Sequence, residues 1–184
     1  MLPGRLTYWK GQKIFIEAIK LLNEKSDIPS FEAIILGNEQ GRNVYRKQLV
    51  DLVLKHRLNK VIKFIDHCEE MPVAYAISNL VCSCSYEPEA FGRIAVEAQS
   101  MQVPIIASDI GGSRETIIKD KTGYLYKNKD PVDLANSITV LMQENYNLLK
   151  SIGIEGRKNV LKKFDVDKMC RTTFTEYKKL IELS

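Results

Sequence analysis

The chain has 184 residues, a length that suits one domain with a sizeable hydrophobic core. Its 27 Lys and Arg residues against 23 Asp and Glu residues leave a net charge of only +4, so we expect no nucleic acid partner. The sequence contains no signal peptide and no apolar run near the roughly 18 residues of a membrane span. We therefore expect a cytoplasmic protein.

Residues 4–11 form a turn-rich segment ahead of the first predicted helix. No complete strand precedes this segment in the sequence, so we expect that the start is a cut or a split reading frame. Arg5 and Lys10 bracket a tight turn, which would aim a guanidinium and an ammonium group at one pocket. The alternative is that both are solvated basic side chains.

Short apolar runs alternate with helical patterns along the rest of the chain. Strands are predicted at residues 32–37, 61–65, 80–84 and 103–107, and helices at 44–56, 71–77, from 131 onward and at 169–183. This alternation is typical of right-handed βαβ units and predicts an α/β fold, a Rossmann-like parallel sheet with helices on both faces and a helical C-terminal end. Ligands of such sheets bind at the carboxyl ends of the strands.

The cysteines and histidines do not indicate a metal or catalytic centre. Cys82 and Cys84 share one side of a predicted strand, and the neighbouring pair His67-Cys68 is the only candidate to complete a metal site. We expect reduced core cysteines and no metal. His56 and His67 lack triad partners and are expected at the surface.

Residues 85–117 carry two glutamates with seven residues between them, Glu89 in a turn-rich segment and Glu97 about two turns inside a predicted helix. Helical side chains lean toward the N-terminus, so Glu97 can point toward the end at which unpaired N–H groups attract anions. Two carboxylates beside a phosphate-binding helix start suit a nucleotide sugar. The alternative is a pair of exposed helical glutamates.

The stretch from residue 87 to 115 resembles the nucleotide-sugar-binding motif of the retaining glycosyltransferases of family 4, the "group 1" transferases of the GT-B fold. The motif residues are Glu89-Ala90-Phe91-Gly92, Glu97-Ala98, Pro104, Gly111-Gly112 and Glu115. The sequence departs from the family pattern at Asp66 and Gln102, where glycine is usual, and at Asn79 and Cys84. A positive φ would be costly for Gln102, so we expect a local adjustment there.

The resemblance implies roles for individual residues. Glu97 would accept hydrogen bonds from ribose, and Glu89 with the N–H groups of Phe91 and Gly92 would hold the sugar. The N–H groups of Arg93 and Ile94 would meet a phosphate. The residues to which the resemblance gives a part in catalysis are Glu89, Arg5 and Lys10, the two basic side chains offsetting the charge of the leaving diphosphate. It implies no metal or cofactor other than a nucleotide-sugar donor, a UDP- or GDP-sugar.

Residues 1–184 would then be a single donor-binding C-terminal domain, with the acceptor-binding N-terminal domain supplied in cis or in trans. The whole enzyme would be a retaining, hexosyltransferase-type enzyme of glycan or lipopolysaccharide-type synthesis, compatible with peripheral association at the inner face of the membrane. In this fold the last helix commonly crosses back to the N-terminal domain. The alternatives are a nucleotide-sugar epimerase-like domain and a non-catalytic binding subunit of a split enzyme.

Overall fold

A computed structural model of the protein describes residues 1–41, 43–144 and 146–182. The strands are β1 (Leu2–Pro3), β2 (Ala33–Leu36), β3 (Ile62–Ile65), β4 (Val81–Ser83), β5 (Ile105–Ser108) and β6 (Tyr124–Tyr126). The helices are α1 (Gln12–Asn23), α2 (Asn43–Lys55), α3 (Met71–Ala76), α4 (Arg93–Ser100), α5 (Ser113–Thr116), α6 (Pro131–Gln143), α7 (Tyr146–Lys163) and α8 (Val166–Glu182). A 3-10 turn spans Tyr8–Lys10.

The strands form two parallel three-stranded sheets, β1-β2-β3 and β4-β5-β6, which confirms the predicted α/β class. The two sheets meet at β1 and β4. The Cys82 N–H donates to the Met1 carbonyl at 2.8 Å, and the Met1 nitrogen donates to the Leu80 carbonyl at 2.7 Å. The spatial order is therefore β3-β2-β1-β4-β5-β6, and the loops after β1 and β4 lie side by side where the order reverses.

Helices pack in two groups around these strands. Helix α1 packs against α2 and α6, whereas α4 packs against α7. Helix α1 contributes an apolar face to the core, where Phe15, Ala18, Ile19 and Leu22 are all buried. The inner strands β2, β4 and β5 bury most of their side chains, as the continuous apolar runs of a covered parallel sheet require, whereas the outer strands β3 and β6 each bury only one residue.

The end of α4 differs from expectation. Gln102 keeps a left-handed backbone, with φ of 59°, in place of the expected adjustment. The Val103 N–H donates to the Ala98 carbonyl at 2.9 Å, which closes α4 with the bond pattern of a Schellman motif. The Gln102 side chain is exposed, and the left-handed backbone costs about 1–2 kcal/mol of strain.

The two histidines differ in how far they are buried. His56, expected at the surface, is half-buried because its ring bonds the Glu17 carboxylate of α1 at 2.9 Å, whereas His67 is exposed as expected.

Helix α8 has no buried residue, and its exposed apolar side chains include Val166, Met169 and Phe174. The predicted helix end at Leu183 lies outside the described residues. Among the described helices, none combines the length and apolar composition needed to cross a bilayer.

Candidate functional site

Three loops meet at the carboxyl ends of the strands, following β1, β4 and β5. The Tyr86 N–H donates to the Trp9 carbonyl at 2.7 Å, which joins the first loop to the second. The Gly112 N–H donates to the Glu89 carbonyl at 2.8 Å, which joins the third loop to the second. These backbone bonds fix the segment that carries Glu89 from both sides.

Glycine is required where the first two loops touch. Gly11 has φ of 72°, and a Cβ on it would overlap the Cys84 carbonyl. No larger residue fits this approach, and the φ value itself disfavours a side chain. Gly11 therefore sets how closely the Lys10 loop lies against the end of β4.

Lys10 and Glu89 form an ion pair within this assembly. The Lys10 ammonium donates to Glu89 Oε1 at 2.7 Å, with the two side chains only 13% and 20% exposed. The same oxygen accepts a hydrogen bond from the Ser85 hydroxyl. The ammonium also lies 4.4 Å from the centre of the Trp9 ring, a cation–π distance. A charge-assisted pair held by two further groups has a fixed orientation.

Arg5 lies on the same loop but is not brought to Glu89. Its side chain is exposed, and its backbone carbonyl accepts a hydrogen bond from the buried Gln12 amide at 2.8 Å. Among the described residues, the Arg5 guanidinium has no hydrogen-bond or ion-pair partner. The Arg5 carbonyl is thus held in place by a hydrogen bond, whereas the Arg5 guanidinium faces solvent at the rim of the loop.

The start of α4 presents free backbone donors. Gly92 precedes the helix with φ of 77° and provides no side-chain cap. The N–H groups of Arg93 and Ile94, in the first turn, have no carbonyl one turn earlier to bind, and the partial positive charge of a helix N-terminus favours an anion there. Phe91 is 42% exposed and meets Phe164 edge to face, with ring centres 5.4 Å apart.

Glu97 is the fifth residue of α4, so it lies just over one turn from the helix start and not two turns. The sequence pattern placed the helix start too early, because the 90–92 segment is a loop that ends at left-handed Gly92. The half-buried Glu97 carboxylate accepts a hydrogen bond from the Tyr75 hydroxyl of α3 at 2.7 Å.

Sequence reasoning missed Trp9, Ser85 and Tyr75 as parts of this site. Ser85 lies two residues after β4, and its position just past the end of a central strand is a signal that could have identified it. Trp9 adjoins Lys10, but nothing in the sequence indicates that its ring would lie under the ammonium. Tyr75 gave no signal at all, because its contact with Glu97 joins two helices with no shared pattern.

A cavity of about 370 Å³ adjoins the ion pair and is lined by Trp9 and residues 87–90. A larger one, about 840 Å³, is mostly apolar and extends from Met1, Phe31 and Leu80 at the starting ends of the strands to Leu36 and Ile65 at the ends of β2 and β3. The smaller cavity is the better candidate for a charged ligand, because Glu89 of the ion pair lines it.

The residues that the structure describes include no group of three or more His, Cys, Asp or Glu side chains placed to hold a metal ion. Cys82 and Cys84 are buried and unpaired in disulfides. Burial raises the pKa of the Cys82 thiol to about 11 and raises that of Cys84 well above its usual range. Both thiols are therefore protonated core groups and poor metal ligands at neutral pH.

Comparison with known proteins adds a family relationship. The sequence pattern of the family described as "Glycosyl transferases group 1" matches residues 2–159. A curated relative, the D-inositol 3-phosphate glycosyltransferase of Corynebacterium efficiens, is 28% identical over 144 residues, which cover 77% of this chain and 34% of the relative. The chain thus spans about a third of that relative's length.

Two solved structures share the fold closely. Alr3699/HepE of Anabaena, solved in complex with UDP and glucose, has a TM-score of 0.88 at 26% identity, over 97% of this chain and 48% of HepE. The C-terminal domain of the group 1 family protein LpcC from Francisella tularensis has a TM-score of 0.79 at 29% identity, over 90% of this chain and 86% of that domain.

Proposed function

The chain belongs to the group 1 glycosyl transferases, and from this premise we propose that residues 1–184 form the nucleotide-sugar-binding domain of a retaining glycosyltransferase. The observation that carries the proposal is the Lys10–Glu89 ion pair beside the start of α4. It combines a fixed cation, a fixed carboxylate and free backbone donors in one place. These are the groups that a diphosphate and a sugar hydroxyl would require.

The geometry supports a division of roles along the ligand. The N–H groups of Arg93 and Ile94 would bind a phosphate, and Glu97 would accept hydrogen bonds from ribose. Glu89, with the N–H groups of Phe91 and Gly92, would hold the sugar. The Glu89 and Glu97 carboxylates are oriented by hydrogen bonds within the protein, which reduces the entropy lost on binding.

Lys10 and Arg5 would act on the leaving diphosphate. As the glycosidic bond breaks, negative charge grows on the departing oxygen, and a cation already in place stabilises that charge more than the ground state. Lys10 is held against Glu89, whereas the exposed Arg5 has freedom to turn toward a bound phosphate. We assign Glu89 a binding role, in which Lys10 and Ser85 hold its Oε1 and its Oε2 accepts from a sugar hydroxyl.

The donor nucleotide is proposed as uridine diphosphate ahead of guanosine diphosphate. The support is the likeness to HepE, whose structure holds UDP and glucose. Asp66, which follows β3, stands where the family usually has glycine, so the base contact at this strand end is the part of the site that departs most from the family.

An acceptor-binding domain, in cis or in trans, would complete the enzyme. The support is the coverage of the relatives, since the chain spans 48% of HepE and nearly the whole of the LpcC C-terminal domain. Attachment of the complete enzyme to the inner face of a membrane is part of the same proposal.

A thermal-melting panel with UDP, GDP, ADP and inorganic pyrophosphate tests the proposal. At a hundredfold excess over Kd a ligand of the folded state adds about 2.7 kcal/mol of stability. We expect UDP to raise the melting temperature more than pyrophosphate does, because ribose contacts add to phosphate contacts. The variant Glu69→Ala, an exposed loop change, should respond like the wild type. No shift with any nucleoside diphosphate at millimolar concentration would contradict the proposal.

A further inference from the structure

Tyr75 is a buried side chain that the proposed roles leave unexplained. It is 2% exposed, yet its hydroxyl reaches out of the core and donates to Glu97 Oε2 at 2.7 Å. The two residues lie on different helices, α3 and α4. The bond therefore ties the orientation of the Glu97 carboxylate to an element outside its own helix.

We propose that Tyr75 is a positioning residue that holds the Glu97 carboxylate ready for the vicinal hydroxyls of a ribose. The inference rests on the proposed function and extends it to a residue that makes no ligand contact itself. Recognition of the ribose diol depends on Tyr75 in this proposal, whereas recognition of the diphosphate and the base does not.

The hydrogen-bond capacity of the carboxylate permits this role. An ionised carboxylate has about four acceptor positions, two on each oxygen. Tyr75 occupies one on Oε2, so both oxygens of Glu97 keep an acceptor position for a hydroxyl. Both oxygens of the Glu97 carboxylate can then accept hydrogen bonds from a diol. The carboxylate loses little side-chain entropy on binding, because Tyr75 already holds its orientation.

Tyr75 also remains a donor under ordinary conditions. Burial raises the pKa of its phenol, and the hydrogen bond to Glu97 raises it further. The phenol therefore stays protonated around neutral pH and keeps its proton for the hydrogen bond to the Glu97 carboxylate. The positive charge of Arg93 acts in the opposite direction and is the weaker influence.

A purely structural role for Tyr75 is the competing explanation. Its ring packs with Val81, Ala95 and Ala98 in the cluster around β4 and α4. Phenylalanine would preserve this packing and remove only the hydroxyl. A structural role predicts equal effects of that change on every ligand, whereas the positioning role predicts an effect only on ligands with the diol.

The test is calorimetric titration of wild type and Tyr75→Phe with UDP and with 2′,3′-dideoxyuridine diphosphate, which lacks both hydroxyls. We expect Tyr75→Phe to weaken UDP binding by about five- to tenfold, the scale of one charge-assisted hydrogen bond, and to change dideoxy-ligand binding by less than about twofold. Tyr124→Phe, a half-buried tyrosine on β6, is the matched control and should leave both affinities unchanged.

The outcomes separate this inference from the function on which it rests. Equal losses for both ligands, or no loss for UDP, would overturn the positioning role and leave the nucleotide site standing. Wild-type protein that binds neither ligand would overturn both. Should Tyr75→Phe fail to fold, wild-type protein with ¹³C-labelled tyrosine decides the question. The Tyr75 Cζ resonance should move on adding UDP and not on adding the dideoxy ligand, and equal movement would overturn the inference.

Discussion

The Lys10 ammonium lies 2.7 Å from a carboxylate oxygen of Glu89, although 79 residues separate them in the sequence. The doubly wound strand order brings them together, because β1 and β4 are neighbours and their following loops leave the sheet at the same edge. The Lys10 ammonium is therefore already positioned to stabilise the negative charge of a bound diphosphate. In the proposed reaction, that negative charge grows as the glycosidic bond breaks.

The Lys10 ammonium should matter more for turnover than for binding. In an enzyme assembled with an acceptor-binding half, we predict that Lys10→Ala lowers kcat by at least about tenfold more than it weakens binding of the intact donor, because the leaving charge grows in the transition state. Steady-state kinetics and donor titration measure the two effects. Lys60→Ala, an exposed loop change, is the control. Equal factors for kcat and binding would show that Lys10 acts only in the ground state.

Without an acceptor-binding half, this chain on its own should transfer no sugar to an acceptor.

The two glutamates should separate in a binding experiment. We predict that Glu97→Ala weakens UDP binding by about tenfold or more, since it removes the acceptors for ribose, whereas Glu89→Ala leaves UDP affinity within about threefold. Glu89 is assigned to the sugar alone, so with the intact UDP-sugar Glu89→Ala should weaken binding as well. Isothermal titration with UDP measures both, and similar losses for the two variants would mean that the carboxylates are wrongly assigned.

Gly11 should be far less replaceable than Gly41. Both have positive φ, 72° and 83°, so each Ala substitution pays about 1–2 kcal/mol of backbone strain. A Cβ on Gly41 meets nothing within 4 Å, whereas one on Gly11 overlaps the Cys84 carbonyl. We predict that Gly11→Ala loses at least about 2 kcal/mol more stability to urea than Gly41→Ala. Equal losses would mean that the contact between the first two loops is loose.

Thiol labelling should follow burial. Burial raises the pKa of the Cys82 thiol to about 11, so at pH 8 its reactive thiolate fraction is about a thousandth. Cys170 is exposed on α8. We predict that iodoacetamide modifies Cys170 in the native protein while Cys82 and Cys84 react only after unfolding, as peptide mass spectrometry would show. Rapid native labelling of Cys82 would contradict the position of β4 in the core.

The sequence allowed the fold to be predicted, and with it the edge of the sheet at which Lys10 and Glu89 lie, for a physical reason. Parallel strands must place their following loops at one edge, so the βαβ alternation predicts that Lys10 and Glu89 lie at the same edge, and the pairing of β1 with β4 then brings them into contact. The Tyr75–Glu97 bond does not follow, because it depends on the angle and height at which α3 and α4 pack. The same limit explains His56, whose pairing with Glu17 joins α1 to the end of α2. Gln102 shows a third limit, since the bonds that end α4 outweigh the preference of glutamine for negative φ.

The location of the nucleotide is the most direct test of the account. Backbone amide resonances of ¹⁵N-labelled protein, recorded while UDP is added, report each loop separately. We predict that the largest shifts fall on Phe91, Gly92, Arg93 and Ile94, with smaller shifts in residues 4–11 and none in α8. Shifts centred on the apolar cavity around Phe31 and Leu80, with the start of α4 unchanged, would contradict the central claim that this edge of the sheet binds a nucleotide.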